Sequence, residues 1–129
     1  MENETTTGSE TADLSRLRRE LTRGTAEMAV LSVLSSSRRY GYELLKLLRG
    51  TGLKMLEIKE GTLYPLLHRL ETAGLVVPTW EAEGRIRPRK YYEITDQGRR
   101  RLLLLLRAEW DGLVEAMKEL RAMLDEVRK

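Results

Sequence analysis

The residues of this chain best suited to chemistry are basic rather than catalytic. Within residues 85–101, seven bases stand against Glu93 and Asp96, although the net charge of the whole chain is only +3. A positive segment this concentrated on a nearly neutral chain favours local contact with a polyanion. Charge alone supports equally well the interpretation that the segment is a solvated positive surface. The seven bases are Arg85, Arg87, Arg89, Lys90, Arg99, Arg100 and Arg101.

The sequence contains none of the residue sets on which enzymes and metal sites depend. It has no cysteine, which excludes thiol nucleophiles and thiolate zinc sites. Its single histidine, His68, has no further ligands at metal-binding spacing. A glycine-rich phosphate loop, a Ser/His/Asp set and a paired-carboxylate pattern are also missing. We therefore expect no enzyme, no metal and no cofactor.

The ends and apolar runs of the chain predict a cytoplasmic protein without membrane contact. The longest apolar run, residues 102–106, is far too short to cross a bilayer. Residues 1–13 carry four acids and no base, and they lack the basic and apolar regions of a signal peptide. We interpret residues 1–13 as a disordered acidic tail.

The elements that would position the basic residues begin with helical patterns. Leucines at helical spacing start at Leu14, and a second apolar stripe follows Gly24. Residues 14–37 therefore form either one long helix or two. Residues 41–48 repeat apolar side chains at i, i+3, i+4 and i+7, which predicts a second, short helix.

The clearest pattern lies in residues 63–70, where four leucines share one helical face and Gly74 follows as a C-cap. Two strand-like runs come next, at 75–81 and 89–95, joined by a turn. A proline at position 78 indicates that the first run is an edge strand or an irregular one. The exposed side of the preceding helix would carry Thr62, Tyr64, His68 and Arg69.

The last helix carries an apolar stripe in which steps of three and four residues alternate, as in a coiled coil. Thr95 can cap this helix, which reaches about 30 residues or roughly 45 Å. Its five leucines at 102–106 cover all sides of one turn, so one face must meet the chain's own domain and another a partner. A homodimer is the simplest solution. The predicted dimer stripe is Leu103, Leu106, Trp110, Leu113, Met117, Leu120, Leu124 and Val127.

This order of elements predicts a mainly α fold with a small β-hairpin (α+β). It is a winged helix-turn-helix domain over residues 14–95, followed by a long C-terminal dimerisation helix over 96–129. The partner would be double-stranded DNA. An ordinary polar helix face, a solvated loop and, for Tyr42, a place in the core are the alternatives. The predicted DNA-binding residues are Tyr42, Thr62, Tyr64, His68, Arg69, Arg85, Arg87, Arg89 and Lys90.

Several short motifs follow one another in a fixed order along residues 21–125. They are GYEL at 41–44, EGTLYPLLHRLE at 60–71, GLV at 74–76, RKYYEIT at 89–95 with Gly98, and EW at 109–110. In order and spacing this series resembles the PadR-like transcriptional regulators. Lys59 departs from that pattern. A small polar residue there would cap the helix that contains residues 63–70, which is the recognition helix of this fold, but a lysine cannot. We therefore interpret the recognition helix as beginning at Thr62.

The resemblance implies a dimeric regulator, usually a repressor, that binds a palindromic operator and often responds to a small molecule. It also implies that the region of Trp110 lines a pore between subunits, where a small hydrophobic or aromatic effector would stack. A core aromatic that only fills the interface is the alternative for Trp110. The rival function is a winged-helix protein-interaction module without DNA binding, in which the basic hairpin holds an acidic protein.

Overall fold

The computed structural model describes residues 8–82 and 87–127. Three helices precede a β-hairpin, and a long helical arm follows it, so the fold is the predicted winged helix-turn-helix. A 3₁₀ turn at Thr51–Leu56 separates the second and third helices, and a π-helical turn at Leu105–Trp110 divides the arm. The regular elements are α1 (Gly8–Ser36), β1 (Arg39–Tyr40), α2 (Gly41–Arg49), α3 (Glu60–Thr72), β2 (Val76–Glu81), β3 (Arg89–Ile94), α4 (Asp96–Leu104) and α5 (Asp111–Val127).

The core consists mainly of leucines from α1, α2 and α3, covered by the hairpin. Leu31 and Leu34 of α1 are fully buried against the apolar faces of the two shorter helices. Burial of each such side chain contributes roughly 1.5–3 kcal/mol. The buried leucines of α2 and α3 are Leu44, Leu45, Leu48, Leu63, Leu66, Leu67 and Leu70.

Helix α1 is continuous, which settles the choice between one helix and two. It begins at Gly8, so the prediction of a disordered tail is wrong for residues 8–13, while residues 1–7 lie outside the described part of the chain. Gly24 is solvent-exposed and does not break the helix, since a glycine inside a helix costs only about 1 kcal/mol. The buried hydroxyl of Thr22 donates a hydrogen bond to the carbonyl of Leu56, which fastens α1 to the 3₁₀ turn.

The sheet has three antiparallel strands in the order β1-β3-β2. The two predicted strands are present to within one residue, and β2 lies at an edge as Pro78 indicates. The third strand was not predicted. In this strand Arg39 and Tyr40 pair with Tyr92 and Tyr91. The hairpin of β2 and β3 is the wing of this fold. Its turn, at residues 83–86, lies outside the described residues.

Helix α3 begins at Glu60, so the interpretation that it begins at Thr62 is wrong. Lys59 is its N-cap without any side-chain hydrogen bond, and its carbonyl accepts the N–H groups of Thr62 and Leu63 at 3.0 and 2.8 Å. Pro65 consequently lies in the second turn, on the exposed side of the helix. There its missing N–H deprives a carbonyl of its usual helical bond, and water can replace that bond at an exposed position.

The C-terminal arm starts with the predicted cap. The Thr95 hydroxyl accepts the N–H of Gly98 at 3.0 Å, and α4 buries Leu102 in the core. Leu106, one of the predicted dimer residues, packs partly against the core of its own chain. Helix α5 has no buried residue. Within the described residues, no helix is both long and apolar enough to span a membrane.

Candidate nucleic-acid interface

The predicted recognition residues all lie on the solvent-exposed surface of α3, but they point in different directions. His68 lies on the outward side, opposite the buried leucines. Tyr64 lies on the flank that contacts α2, whereas Thr62 and Arg69 line a groove on the flank nearer α1. The helix therefore presents three polar surfaces rather than one.

Gly41, the first residue of α2, allows the ring of Tyr64 to approach the backbone closely. A Cβ atom at Gly41 would lie 2.8 Å from the Cε1 and hydroxyl oxygen of Tyr64. Partial burial raises the pKa of Tyr64, and the nearby carboxylate of Glu60 raises it further. The phenol therefore stays protonated at neutral pH and can donate a hydrogen bond to an anion.

Tyr42, in the first turn of α2, is exposed rather than part of the core. Its side chain is 58 % exposed, and the Nζ atom of Lys46 lies 5.6 Å from its ring centroid. The alternative that Tyr42 fills the core is therefore wrong. Tyr42 lies at the N-terminal end of α2, directly after Gly41, against which the ring of Tyr64 packs.

The predicted wing residues differ in whether another side chain of the protein already binds their charge. Arg87 is exposed, and the guanidinium of Arg89 stacks 4.5 Å from the ring centroid of Tyr40. Lys90 instead binds the carboxylate of Glu71 at 3.3 Å, which joins the wing to the recognition helix. Partial burial, the largest single effect, would lower the pKa of Lys90, but the interactions with Glu71 and Tyr92 together outweigh it and the pKa is raised. Arg85 lies outside the described residues.

Part of the basic segment is structural. Arg101 Nε lies 2.8 Å from a carboxylate oxygen of Glu27 on α1, and this hydrogen bond raises the pKa of Arg101. Arg99 donates to the carbonyl of Ser35 at 3.1 Å. These two arginines therefore fasten α4 to α1, which explains bases in the first turns of a helix where the dipole disfavours them.

Trp80 on the wing is a surface residue outside the predicted DNA-binding set. It is 65 % exposed and lies opposite Lys90 in the β2–β3 register. The available signal was the period-two series of Val76, Pro78 and Trp80, which places the tryptophan on the core-facing side of the strand. Because the strand extends past the core, that side becomes accessible at Trp80.

Two helical segments carry apolar side chains that the described residues leave largely exposed. On the arm, Trp110 is 38 % exposed and the stripe that follows is more exposed still. On the first half of α1, three leucines at helical spacing are about half exposed. These side chains are Leu113, Met117, Leu120 and Leu124 of α5 together with Leu14, Leu17 and Leu21 of α1. Across the described residues, no group of His, Cys, Asp and Glu is placed to hold a metal ion.

Residues 30–103 match the model of the transcriptional regulator PadR-like family. The chain belongs to this family. A PadR family transcriptional regulator from Eggerthella lenta is 39 % identical, with a TM-score of 0.75 over 88 % of this chain and 96 % of that one. A PadR-like transcriptional regulator from Bacillus cereus is 32 % identical, with a TM-score of 0.68 over 78 % and 95 %.

The fold also matches that of a PadR crystallised with operator DNA, from Bacillus subtilis. The identity is 23 % and the TM-score 0.60, over 64 % of this chain and 47 % of the other. At this identity the likeness concerns the fold alone. Membership of the PadR-like family nevertheless confirms the resemblance drawn from the motifs, and it places the chain among transcriptional regulators.

Proposed function

We propose that this PadR-like protein is a homodimeric repressor that binds a palindromic operator. The observation that carries the proposal is the exposed polar and basic surface of α3, flanked by the N-terminal end of α2 and by the wing. An α-helix fits the major groove, and bases are read there through hydrogen bonds and apolar contacts. The PadR crystallised with operator DNA has the same fold, which supports the same use of it here.

Each element has a distinct role in this proposal. Arg69 can bind guanine through two hydrogen bonds, and His68 and Thr62 can bind base edges or phosphates. Tyr64 and Tyr42 donate hydrogen bonds to phosphates at the edge of the groove. Arg87 and Arg89 neutralise phosphates beside the wing, whereas Lys90 mainly holds the wing against α3 through Glu71.

The dimer forms through the uncovered apolar side chains of the arm and of α1. An exposed stripe of this length is rare on a monomer and is typical of a protein interface. A second copy supplies an identical stripe, so one two-fold axis covers both arms at once. The same axis places two recognition helices toward half-sites that lie about one helical turn, roughly 34 Å, apart.

A small aromatic effector is the proposed signal for release. Trp110 lies at the end of the π-helical turn and retains exposed ring surface. π-helical turns occur frequently at functional sites, and a tryptophan ring stacks well on planar ligands. Binding there would change the angle between the arm and the DNA-binding domain. If Trp110→Ala protein leaves the operator at the same effector concentration as the wild type, Trp110 has no part in the response.

Selection of random duplex DNA on the purified protein, followed by sequencing, tests the proposal. We expect an inverted repeat with half-sites about one helical turn apart. Arg69→Ala should cost about 1–3 kcal/mol on the selected site and relax the preference for one base pair. Arg121→Ala, which removes the same charge from α5, is the matched control and should keep the affinity. Folded protein that enriches no sequence at moderate salt would contradict DNA binding and favour an acidic protein partner.

Trp80 supplies an independent signal of DNA binding. The chain contains two tryptophans, so in Trp110→Phe protein Trp80 is the sole tryptophan fluorophore. We expect its emission to change on addition of the selected duplex, because its exposed ring lies opposite Lys90 on the wing. Unchanged emission under conditions where the duplex is bound would place Trp80 outside the interface.

A further inference from the structure

A basic groove lies between α1 and the start of α3, on the side of the recognition helix away from α2. It has a volume of about 560 Å³, and its floor includes Ala26 and Leu66. Four cationic side chains line it: Arg19, Arg23, Lys59 and Arg69. All four are exposed, and none forms an ion pair within the described parts of the chain, residues 8–82 and 87–127.

The single acid in the lining does not neutralise these cations. Glu57 Oε1 binds Arg18 Nη1 at 3.0 Å, so its charge is already paired with an arginine outside the groove. Four like charges that converge without acid partners repel one another. A groove lined by one sign of charge attracts anions, and a row of phosphates is an anion of suitable charge.

The groove faces away from the proposed dimer surface. Arg19 and Arg23 are four residues apart and therefore share one face of α1. Each lies two residues after an exposed leucine, Leu17 and Leu21 respectively, and residues two apart point to nearly opposite sides of a helix. A second copy can cover the leucines while the arginines remain accessible.

We propose that this groove binds the sugar-phosphate backbone of the operator, along the edge of the major groove opposite the wing. The inference rests on the proposed function. A helix in the major groove lies between two backbone strands, and Tyr42 and the wing supply contacts to only one of them. Thr62 and Arg69 belong both to the recognition helix and to the groove, so DNA bound to α3 continues directly into it. Arg19, Arg23 and Lys59 then neutralise phosphates of the second strand.

The test is the salt dependence of binding to the selected duplex. Log affinity falls with log salt by about 0.9 per phosphate neutralised. Arg19→Ala/Arg23→Ala removes four arginines per dimer, so we expect the slope to become shallower by about 3 to 4 and the preferred sequence to stay the same. Arg19→Lys/Arg23→Lys keeps the charges and should keep most of the slope. Lys118→Ala/Arg121→Ala on α5 is the control with the same change in charge and should retain the wild-type slope.

The outcomes separate this inference from the proposed function. If the wild type binds the duplex with a steep slope and Arg19→Ala/Arg23→Ala matches it, the backbone contact is wrong and DNA binding stands. If the wild type binds no duplex, both fail. If wild-type protein binds inorganic pyrophosphate in the groove, the double variant does not, and the salt slope is unchanged, the groove is a site for a free anion and the DNA assignment is overturned.

Discussion

At the scale of single residues, the contact between Gly41 and Tyr64 links the packing of α2 to the proposed DNA contact. An alanine Cβ at position 41 would lie 2.8 Å from the end of the tyrosine ring. The ring is the movable partner, so Gly41→Ala should displace it while the fold keeps its stability. We expect the affinity for the operator to fall about tenfold, the equivalent of one hydrogen bond to a charged group. Titration of labelled duplex measures this.

Tyr64→Phe separates the effect of the ring's position on DNA binding from the effect of its hydroxyl. This variant keeps the ring against Gly41 and removes only the donor, so it should lose a similar share of the affinity. Thermal unfolding of both variants serves as the control, and we expect midpoints within a few degrees of the wild type. If Gly41→Ala binds the operator with unchanged affinity, the position of the ring does not matter for binding.

At the scale of elements, periodicity and caps could be predicted, but partners far apart in sequence could not. The leucines at 63–70 predicted α3, Thr95 predicted the start of α4, and Pro78 predicted an edge strand. Strand β1 has two residues, which is too few for any periodicity, and it exists only because β3 pairs with it. The role of Arg101 depends on an acid 74 residues away.

On the recognition surface, too, features of a single helix could be predicted, whereas features formed by two helices could not. The sequence placed Thr62 and Arg69 on the exposed side of α3, and they are exposed. The groove that they share with Arg19 and Arg23 arises because α1 packs beside α3. No pattern within either helix predicts this packing.

The packing of α4 on the hairpin depends on Gly98. A Cβ atom there would lie 2.2 Å from the carbonyl oxygen of Leu75 and 2.7 Å from Cγ1 of Ile94. Backbone cannot yield as a side chain can, so Gly98→Ala should lower the free energy of unfolding by about 1–3 kcal/mol or more. Gly112→Ala is the matched control, since nothing lies within 4 Å of its Cβ position, and it should stabilise α5 by up to about 1 kcal/mol. Urea unfolding of the two variants gives both values, and equal stabilities would contradict the close approach.

At the scale of the whole molecule, the proposed dimer explains why the arm carries an apolar stripe. Met117 lies in the middle of the α5 stripe and is 49 % exposed in the protomer. A lysine there would bring two positive charges into an apolar contact across the two-fold axis, and burial of unpaired charge is strongly unfavourable. Met117→Lys protein should therefore be monomeric by light scattering at micromolar concentration.

Dissociation should also weaken operator binding, because two linked half-site contacts bind about 10²–10⁴-fold more tightly than one. We expect Met117→Lys to lose at least about a hundredfold in affinity for the inverted repeat but little for an isolated half-site. Ala122→Lys adds the same charge on the opposite side of α5, so it should remain dimeric and bind normally. A dimeric Met117→Lys protein would show that the arms do not form the interface. A monomer that still binds the full repeat with wild-type affinity would show that the two recognition helices act independently, and the operator would then need no two-fold symmetry.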